Sequence, residues 1–358
     1  LDGGRPVPGF LDKAWQYLLR NHPHDSICGC SIDQVHRDMH YRFDQAALLA
    51  GLAVVLFMAA HFLPVVGAAF SLLAPAPLVI LGLRHDLKKA SLGLGVSTLL
   101  VAALLGPVSS LFFLLGFGVL GVGLGLLAKK IDKGVEILLY GILLSLGSKL
   151  LLMAVVARLT GINPFQLDGA EMQSMVDKVF QFYESTGMSK DSLAAVRLQF
   201  AESIRLLPVI FPAILTVAAA LDCYLSYVVG SFVLKRIGNE PLPPLPPFSR
   251  WRFPKSVFGA FVVSILLSLI GSREGSMDFA LKAGVNLRLL VNFLFLFQGL
   301  SLIWFFLTER IAGSFGRLLR TVVIILTVLV PILSTLAVMG GIGDMWLDFR
   351  GRLGRGDA

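Results

Sequence analysis

The amino-acid sequence predicts an all-α fold: a polytopic bundle of transmembrane helices with about eight to nine spans, preceded by a short soluble helical segment. Three observations predict it. Of the 358 residues, 56% are hydrophobic and only 15% are charged, with a mean hydropathy of +0.78, whereas soluble domains carry about 25% charged residues. The apolar residues come in blocks near the roughly 17–25 residues that cross a bilayer. The blocks are continuously apolar rather than alternating, so they read as helices, which satisfy their own backbone groups in lipid, and not as barrel strands. These features exclude an ordinary soluble enzyme, a disordered chain and a fibrous protein. The net charge of +8 does not indicate nucleic acid, because Lys and Arg sit in short loops between apolar runs, as membrane orientation requires.

Composition changes abruptly near Gln45. Residues 1–45 are polar and hold His22, His24, His36 and His40 with Asp25, Cys28, Cys30 and Asp33. The three cysteines, Cys28, Cys30 and Cys223, fit no disulfide framework. The chain opens on Leu1 rather than Met, so a start that is truncated or joined from another sequence is expected.

From Ala46 onward nine apolar runs follow: Ala46–Phe62, Val65–Leu83 (bent by Pro75 and Pro77), Ala90–Leu105, Ser109–Ala128, Gly134–Ala157, Leu206–Leu234, Val257–Gly271, Ala283–Leu307 and Leu318–Met339. The count falls to eight or seven if the first two form one broken unit. A cytoplasmic N-terminus puts Arg84, Lys88, Lys89, Lys129, Lys130, Lys133, Lys235, Arg236, Arg250, Arg252, Lys255, Arg310, Arg317 and Arg320 inside, and leaves the first two outer loops without any. Arg350, Arg352 and Arg355 fall outside under nine spans, and an even count removes that conflict.

Between the fifth and sixth runs, Phe165, Met172, Val176, Val179, Phe180 and Tyr183 recur at helical spacing, as do Leu193, Val196, Phe200 and Ile204. Gly187 separates the stretches. They predict two amphipathic helices on the outer face over residues 160–205. Residues 236–255 form a Pro-rich cytoplasmic loop. Its prolines favour an extended conformation, and Trp251 and Phe253 suit headgroup level with Arg250, Arg252 and Lys255 beside anionic lipid. It reads either as a stiff anchored connector or as a docking strip for a partner, with Trp251 and Arg252 as its candidate docking residues.

Charged residues inside spans are costly and face a cavity or a partner. Lys149 lies in the fifth run and Asp222 near the middle of the sixth, which allows an ion pair. Asn286, Arg288, Asn292 and Gln298 line the eighth, with Arg288 and Asn292 on one face. Lys149, Asp222, Arg288, Asn292 and Gln298 are the candidates for a polar pocket opening outward. The alternative is interhelical hydrogen bonding that packs the bundle, worth about 0.6 kcal/mol each. Gly121–Gly125 and Ala46–Ala50 have the small-xxx-small spacing that permits close helix approach. No Walker A sequence, Gly-x-Ser-x-Gly elbow or His-Glu-x-x-His occurs, so neither enzymatic activity nor a cofactor is expected.

Pro243-Pro244-Leu245-Pro246-Pro247-Phe248 with Trp251-Arg252-Phe253-Pro254-Lys255-Ser256 resembles the signature loop of the YybS-like family of bacterial inner-membrane proteins. Asn292 with Gln298-Gly299-Leu300-Ser301, the ending Gly343-Asp344-Met345-Trp346-Leu347-Asp348-Phe349-Arg350, and Pro75-Ala76-Pro77 with Arg84-His85 are similar to it too. The resemblance covers about residues 46–352. It implies a multi-pass protein of the bacterial cytoplasmic membrane, distantly related to substrate-binding subunits of energy-coupling-factor vitamin transporters. In those subunits an Ala-xxx-Ala pattern in the first span meets the shared coupling subunit, and Ala46 and Ala50 sit at a similar place.

Residues from Leu18 to Met39, with the run Asn21-His22-Pro23-His24-Asp25, resemble glycoside hydrolase family 38 α-mannosidases over about residues 11–46. The resemblance implies a zinc ligand at His24 and a sugar contact at Asp25. The family's other zinc ligands and its nucleophile have no match here, although catalytic zinc takes three protein ligands and retaining hydrolysis two carboxyl groups. About 45 residues also build no such pocket. The segment therefore reads as an orphan fragment without activity or metal. The readings of function that remain are a substrate-binding or transport-related membrane subunit, and a membrane scaffold recruiting other membrane subunits or cytoplasmic proteins through the Pro-rich loop. The bilayer is a partner in both.

Overall fold

The computed structural model describes residues 33–63, 66–160, 177, 180, 190–238, 241–272, 278–311 and 313–353. Among these, all regular structure is helical. The chain divides into two compact units, Leu1–Leu126 and Leu127–Ala358.

In the first unit, α1 (Asp33–Phe62) runs unbroken through Gln45, so the change from polar to apolar sequence falls inside one helix. Two short helices follow, α2 (Gly67–Leu73) and α3 (Pro75–Arg84). Pro75 opens α3, where its missing N–H costs nothing. Every residue from Pro75 to Gly82 is buried, which makes α3 the core of this unit. Helix α4 (Leu87–Leu105) stops at Gly106, whose φ of 87° is open to glycine. Helix α5 (Pro107–Leu111), a π-helical stretch (Phe112–Gly118) and α6 (Val119–Ala128) complete one continuous rod. Gly121 and Gly125 face α3 so closely that a Cβ on either would strike it: at Gly121 the Leu78 Cβ would be 2.8 Å away, and at Gly125 the Val79 carbonyl would be in contact. Phe57 on α1 packs edge-on against Phe113, with ring centroids 5.2 Å apart.

The second unit contains α7 (Gly134–Thr160), α8 (Lys190–Arg236), α9 (Ser256–Gly271), α10 (Asp278–Arg310), α11 (Gly313–Leu329), α12 (Pro331–Leu347) and α13 (Phe349–Leu353). Helix α10 is central and packs on α8, α9, α11 and α12, while α7 packs on α8. Gly299 of α10 and Gly341 of α12 let the two backbones touch: a Cβ on Gly299 would meet the Ala337 carbonyl, and one on Gly341 the Phe295 carbonyl.

Among the described residues, six helices are long and apolar enough to cross a membrane: Asp44–Phe62, Leu87–Leu105, Pro107–Ala128, Gly134–Leu159, Leu206–Arg236 and Phe279–Arg310. The ninth apolar run is not one straight span. Val330 is extended, Pro331 starts a new helix, and the two halves meet at 101°. If that bent pair is one span the count is seven. The second and seventh runs form the shorter apolar helices Ala69–Arg84 and Ser256–Gly271. The latter, at 16 residues, reaches roughly 24 Å at 1.5 Å per residue, against a hydrocarbon core of about 30 Å. The expected eight to nine spans therefore exceed what helix length alone supports.

The outer segment also differs from expectation. The stretch from Leu193 to Ile204 is helical but is no separate helix, because α8 continues from Lys190 into the span as one 47-residue rod. Of the preceding stretch only Asp177 and Phe180 are described, both helical, and Phe180 is buried. Phe165, Met172, Val176, Val179, Tyr183 and the break at Gly187 lie outside the described residues.

Candidate functional site

Helix α7 turns Ile137, Gly141, Ser145, Ser148 and Leu152 inward, the i, i+4, i+3 rhythm of one helical face. Helix α8 presents Ala219, Cys223, Ser226 and Tyr227 as buried residues. Lys149 and Asp222 flank this seam. The Lys149 Nζ donates to Asp222 Oδ2 at 2.5 Å and to Ser145 Oγ at 2.9 Å. Ser145 Oγ in turn reaches Asp222 Oδ2 at 3.5 Å. The two charged side chains keep 19% and 29% of their surface. At ~1.5 Å per residue, Lys149 lies roughly 22 Å from the Gly134 end of α7 and Asp222 about 21 Å from the Arg236 end of α8, both at hydrocarbon depth. The arrangement holds opposite charges side by side, with a hydroxyl that can donate to an anion or accept from a cation.

The α10 candidates are not gathered around this pair. Arg288 is exposed and Asn292 half-buried, and no hydrogen bond or ion pair links either to Lys149 or Asp222 among the described residues. Gln298 is buried and turns to the Pro-rich segment, its Oε1 accepting from Phe253 N at 3.1 Å. Asn286 closes a gap in α8. Pro208 and Pro212 lie inside that helix and remove donors while crowding the preceding turn. The Ala213 N–H, next to Pro212, donates to Asn286 Oδ1 at 2.8 Å. Asn286 Nδ2 donates to the Val209 carbonyl at 2.6 Å and to Lys282 at 2.8 Å. One carboxamide thus bonds backbone groups beside the two prolines, the kind of support that proline in membrane helices needs.

The Pro-rich segment is a strap lashed to the bundle by its own carbonyls. Tyr227 OH donates to Pro243 O. Ser301 Oγ donates to Phe248 O at 2.5 Å and to Trp251 O at 3.2 Å, and Trp251 Nε1 to Pro246 O at 2.9 Å. The Trp251 ring is edge-on to Tyr224 and Phe248 and stacked with Phe297. Arg252 pairs with Asp348 at 2.6 Å. Trp251 is half-buried and Arg252 exposed.

A second buried pair, absent from the sequence-based candidates, fixes the strap from the other side. Arg350 is 7% exposed and Asp344 2%. The Arg350 guanidinium donates to Ser249 O, to Trp251 O at 3.2 Å and to Gln298 O at 3.4 Å, and faces the Phe305 ring. Its Nε stands 3.2 Å from Asp344 Oδ2. That contact is an ion pair without hydrogen-bond geometry, so both Asp344 oxygens lack a donor. Burial pulls the guanidinium below its ordinary value, and the neighbouring Asp344 raises it.

In the first unit Ala50 is buried and its carbonyl accepts from Ser97 Oγ at 3.2 Å, while Ala46 is half-buried. His22, His24, Asp25, Cys28 and Cys30 lie outside the described residues, as do the side chains of His36 and His40. Among the described residues no group of three or more His, Cys, Asp or Glu could hold a metal ion.

Helical rods of membrane-crossing length, a polar pair at hydrocarbon depth and a strapped end define a polytopic helical membrane protein. Residues 51–345 match the family described as "Predicted membrane protein (DUF2232)", and the chain belongs to it. It is 22% identical over 309 residues to the "Uncharacterized protein YybS" of Bacillus subtilis, covering 86% of this chain and 97% of that protein. A short segment of 36 residues is 61% identical to the "Putative mannosylglycerate hydrolase" of Halalkalibacterium halodurans, covering 10% of this chain and 4% of that protein. No solved structure matches.

Proposed function

We propose that this chain is a non-enzymatic, transport-related subunit of the bacterial cytoplasmic membrane that binds a small polar ligand, in the manner of vitamin-transporter binding components. The observation that carries the reading is the Lys149–Asp222–Ser145 cluster. A charged pair within a span is costly, and membrane proteins keep such residues mainly for binding or for pathways. Arg288 and Asn292 on α10, which are not gathered around this pair, line the route by which a ligand enters from outside. The N-terminus is cytoplasmic in this reading, following the basic loops. Counting the two shorter apolar helices and the bent pair as crossings gives the eight to nine spans. Residues 1–45 act as an appended fragment without a role in binding.

Gentle solubilisation and affinity purification of the full chain test the reading. Co-purification of an ATPase and a membrane coupling subunit is the expected result, with half-buried Ala46 as the contact that the first helix leaves accessible, since Ala50 is buried. Bound small molecule released from the wild type but not from Lys149→Met would support the cluster as the site. Neither partner nor ligand in native material would overturn it. A scaffold reading is favoured by one observation, the exposure of Pro244, Pro246, Pro247, Arg250 and Arg252 on the strap, and gains ground if other proteins co-purify through Trp251 and Arg252.

A further inference from the structure

Apart from Arg252, which pairs with Asp348, the basic residues of the strap have no carboxylate partner among the described residues. Arg250, Lys255 and Arg352 are exposed. The side chains of Arg250 and Arg352 have no hydrogen-bond or ion-pair partner among the described residues, and Lys255 stands over the Trp346 ring with Nζ 5.1 Å from its centroid. Residues 241–256 contain no acid. Among the described residues, Asp348 is held by Arg252 and by the Gly351 N–H, and Asp344 is buried against Arg350.

The position of this charge follows from what the strap connects. It joins the end of apolar α8 to the start of apolar α9, and Tyr227, Tyr224 and Trp251 tie it to the last turns of α8. Trp251, Trp304 and Trp346 gather around it, and tryptophan concentrates where hydrocarbon meets headgroups. Trp346 and Leu347 are 54% and 45% exposed beside Lys255. An occupant therefore has to offer an anion and apolar surface together. A phospholipid does so in one molecule, at the level where the tryptophans lie.

We infer that Arg250, Lys255 and Arg352 form a headgroup site for anionic phospholipid, with the phosphate as the recognised group and Trp346 against the acyl boundary. Arg252, locked by Asp348, is a positioning residue that keeps the strap and the C-terminal turn together. The site is independent of the ligand reading at Lys149 and Asp222.

The test uses the full chain in nanodiscs of equal phosphatidylglycerol and phosphatidylcholine, with retained lipid measured by native mass spectrometry. Each basic residue near a surface favours anionic lipid by about fivefold, so the wild type should retain phosphatidylglycerol over phosphatidylcholine by about tenfold or more, and salt should weaken the preference. The R250Q/K255Q/R352Q variant should lose it while keeping its thermal midpoint in pure phosphatidylcholine. If the triple variant does not fold, K255Q and R352Q singly should each lower the ratio severalfold. An unchanged ratio in folded variants overturns the site, as does a wild type without preference that instead retains an acidic protein through the same residues.

Discussion

Lys149–Asp222 and Arg350–Asp344 are both ion pairs inside the second unit, and they are satisfied in opposite ways. At Lys149 the cation and the carboxylate hydrogen-bond directly and share Ser145, so each charge answers the other. At Arg350 the cation spends its Nη donors on three backbone carbonyls of the strap and α10, and the carboxylate receives contact but no hydrogen bond. The first pair joins two helices and is otherwise dispensable to the backbone. The second is a latch for irregular backbone, because the prolines and the strap conformation leave carbonyls that no helix satisfies. The difference teaches where function can reside: a pair that only answers itself is free to exchange a partner for a ligand, while a pair that holds backbone is not.

Substitutions can break this contrast. Arg350→Met should have the largest effect, because it strands a fully buried Asp344 and frees the Ser249, Trp251 and Gln298 carbonyls together. Breaking a buried pair costs about 3–5 kcal/mol, read as a large drop in the detergent unfolding midpoint. Adding Asp344→Leu should recover only part, since the Ser249 carbonyl stays without its Arg350 donor, while Trp251 O keeps Ser301.

Asn286→Leu should cost about 1–3 kcal/mol, since the Val209 and Ala213 backbone groups lose their carboxamide partner. Pro212→Ala offers a sharper form of the test. With proline removed, the backbone beside it needs less support, and Asn286→Leu should then cost less. Equal losses in both backgrounds, measured by thermal unfolding, would remove the support role. Tyr227→Phe, which deletes one donor to Pro243 at the strap, should cost about 1 kcal/mol. Deleting residues 1–32 should change insertion and stability least, because the described burial begins in α1; aggregation of the truncated protein in mild detergent would show that segment to be structural.

The legible parts of the molecule were those with strong local contrast. Lys149 and Asp222 stand out because each interrupts an apolar run, and two opposite charges at similar depth suggest each other. Asn286 was visible as a polar residue in a span, but its partners were not, since they are main-chain groups beside prolines in another helix. The 101° break in the ninth run had a signal in Pro331, which starts a helix more readily than it continues one. Asp344 and Arg350 were not singled out as a site because they follow an apolar run, where charges ordinarily mark solvent. The strap reads in sequence as a stiff connector with an aromatic anchor, because its own residues show prolines and aromatics and not the Ser301, Tyr227 and Arg350 donors that bind it to the bundle. Gln298 looked like a pocket residue for the same reason: its partner, Phe253 N, lies in the strap.

Lys149 and Asp222 form a self-contained pair at hydrocarbon depth. A double-mutant cycle on the full chain tests it most directly, with Lys149→Met, Asp222→Leu and the combination unfolded under one detergent condition. Each single variant should lose about 1–3 kcal/mol, less than a fully buried pair because both side chains keep some exposure. The double variant should regain most of that loss, giving a coupling energy of about 1 kcal/mol or more. Additive losses, with no recovery in the double variant, would contradict the pair and the function proposed on it.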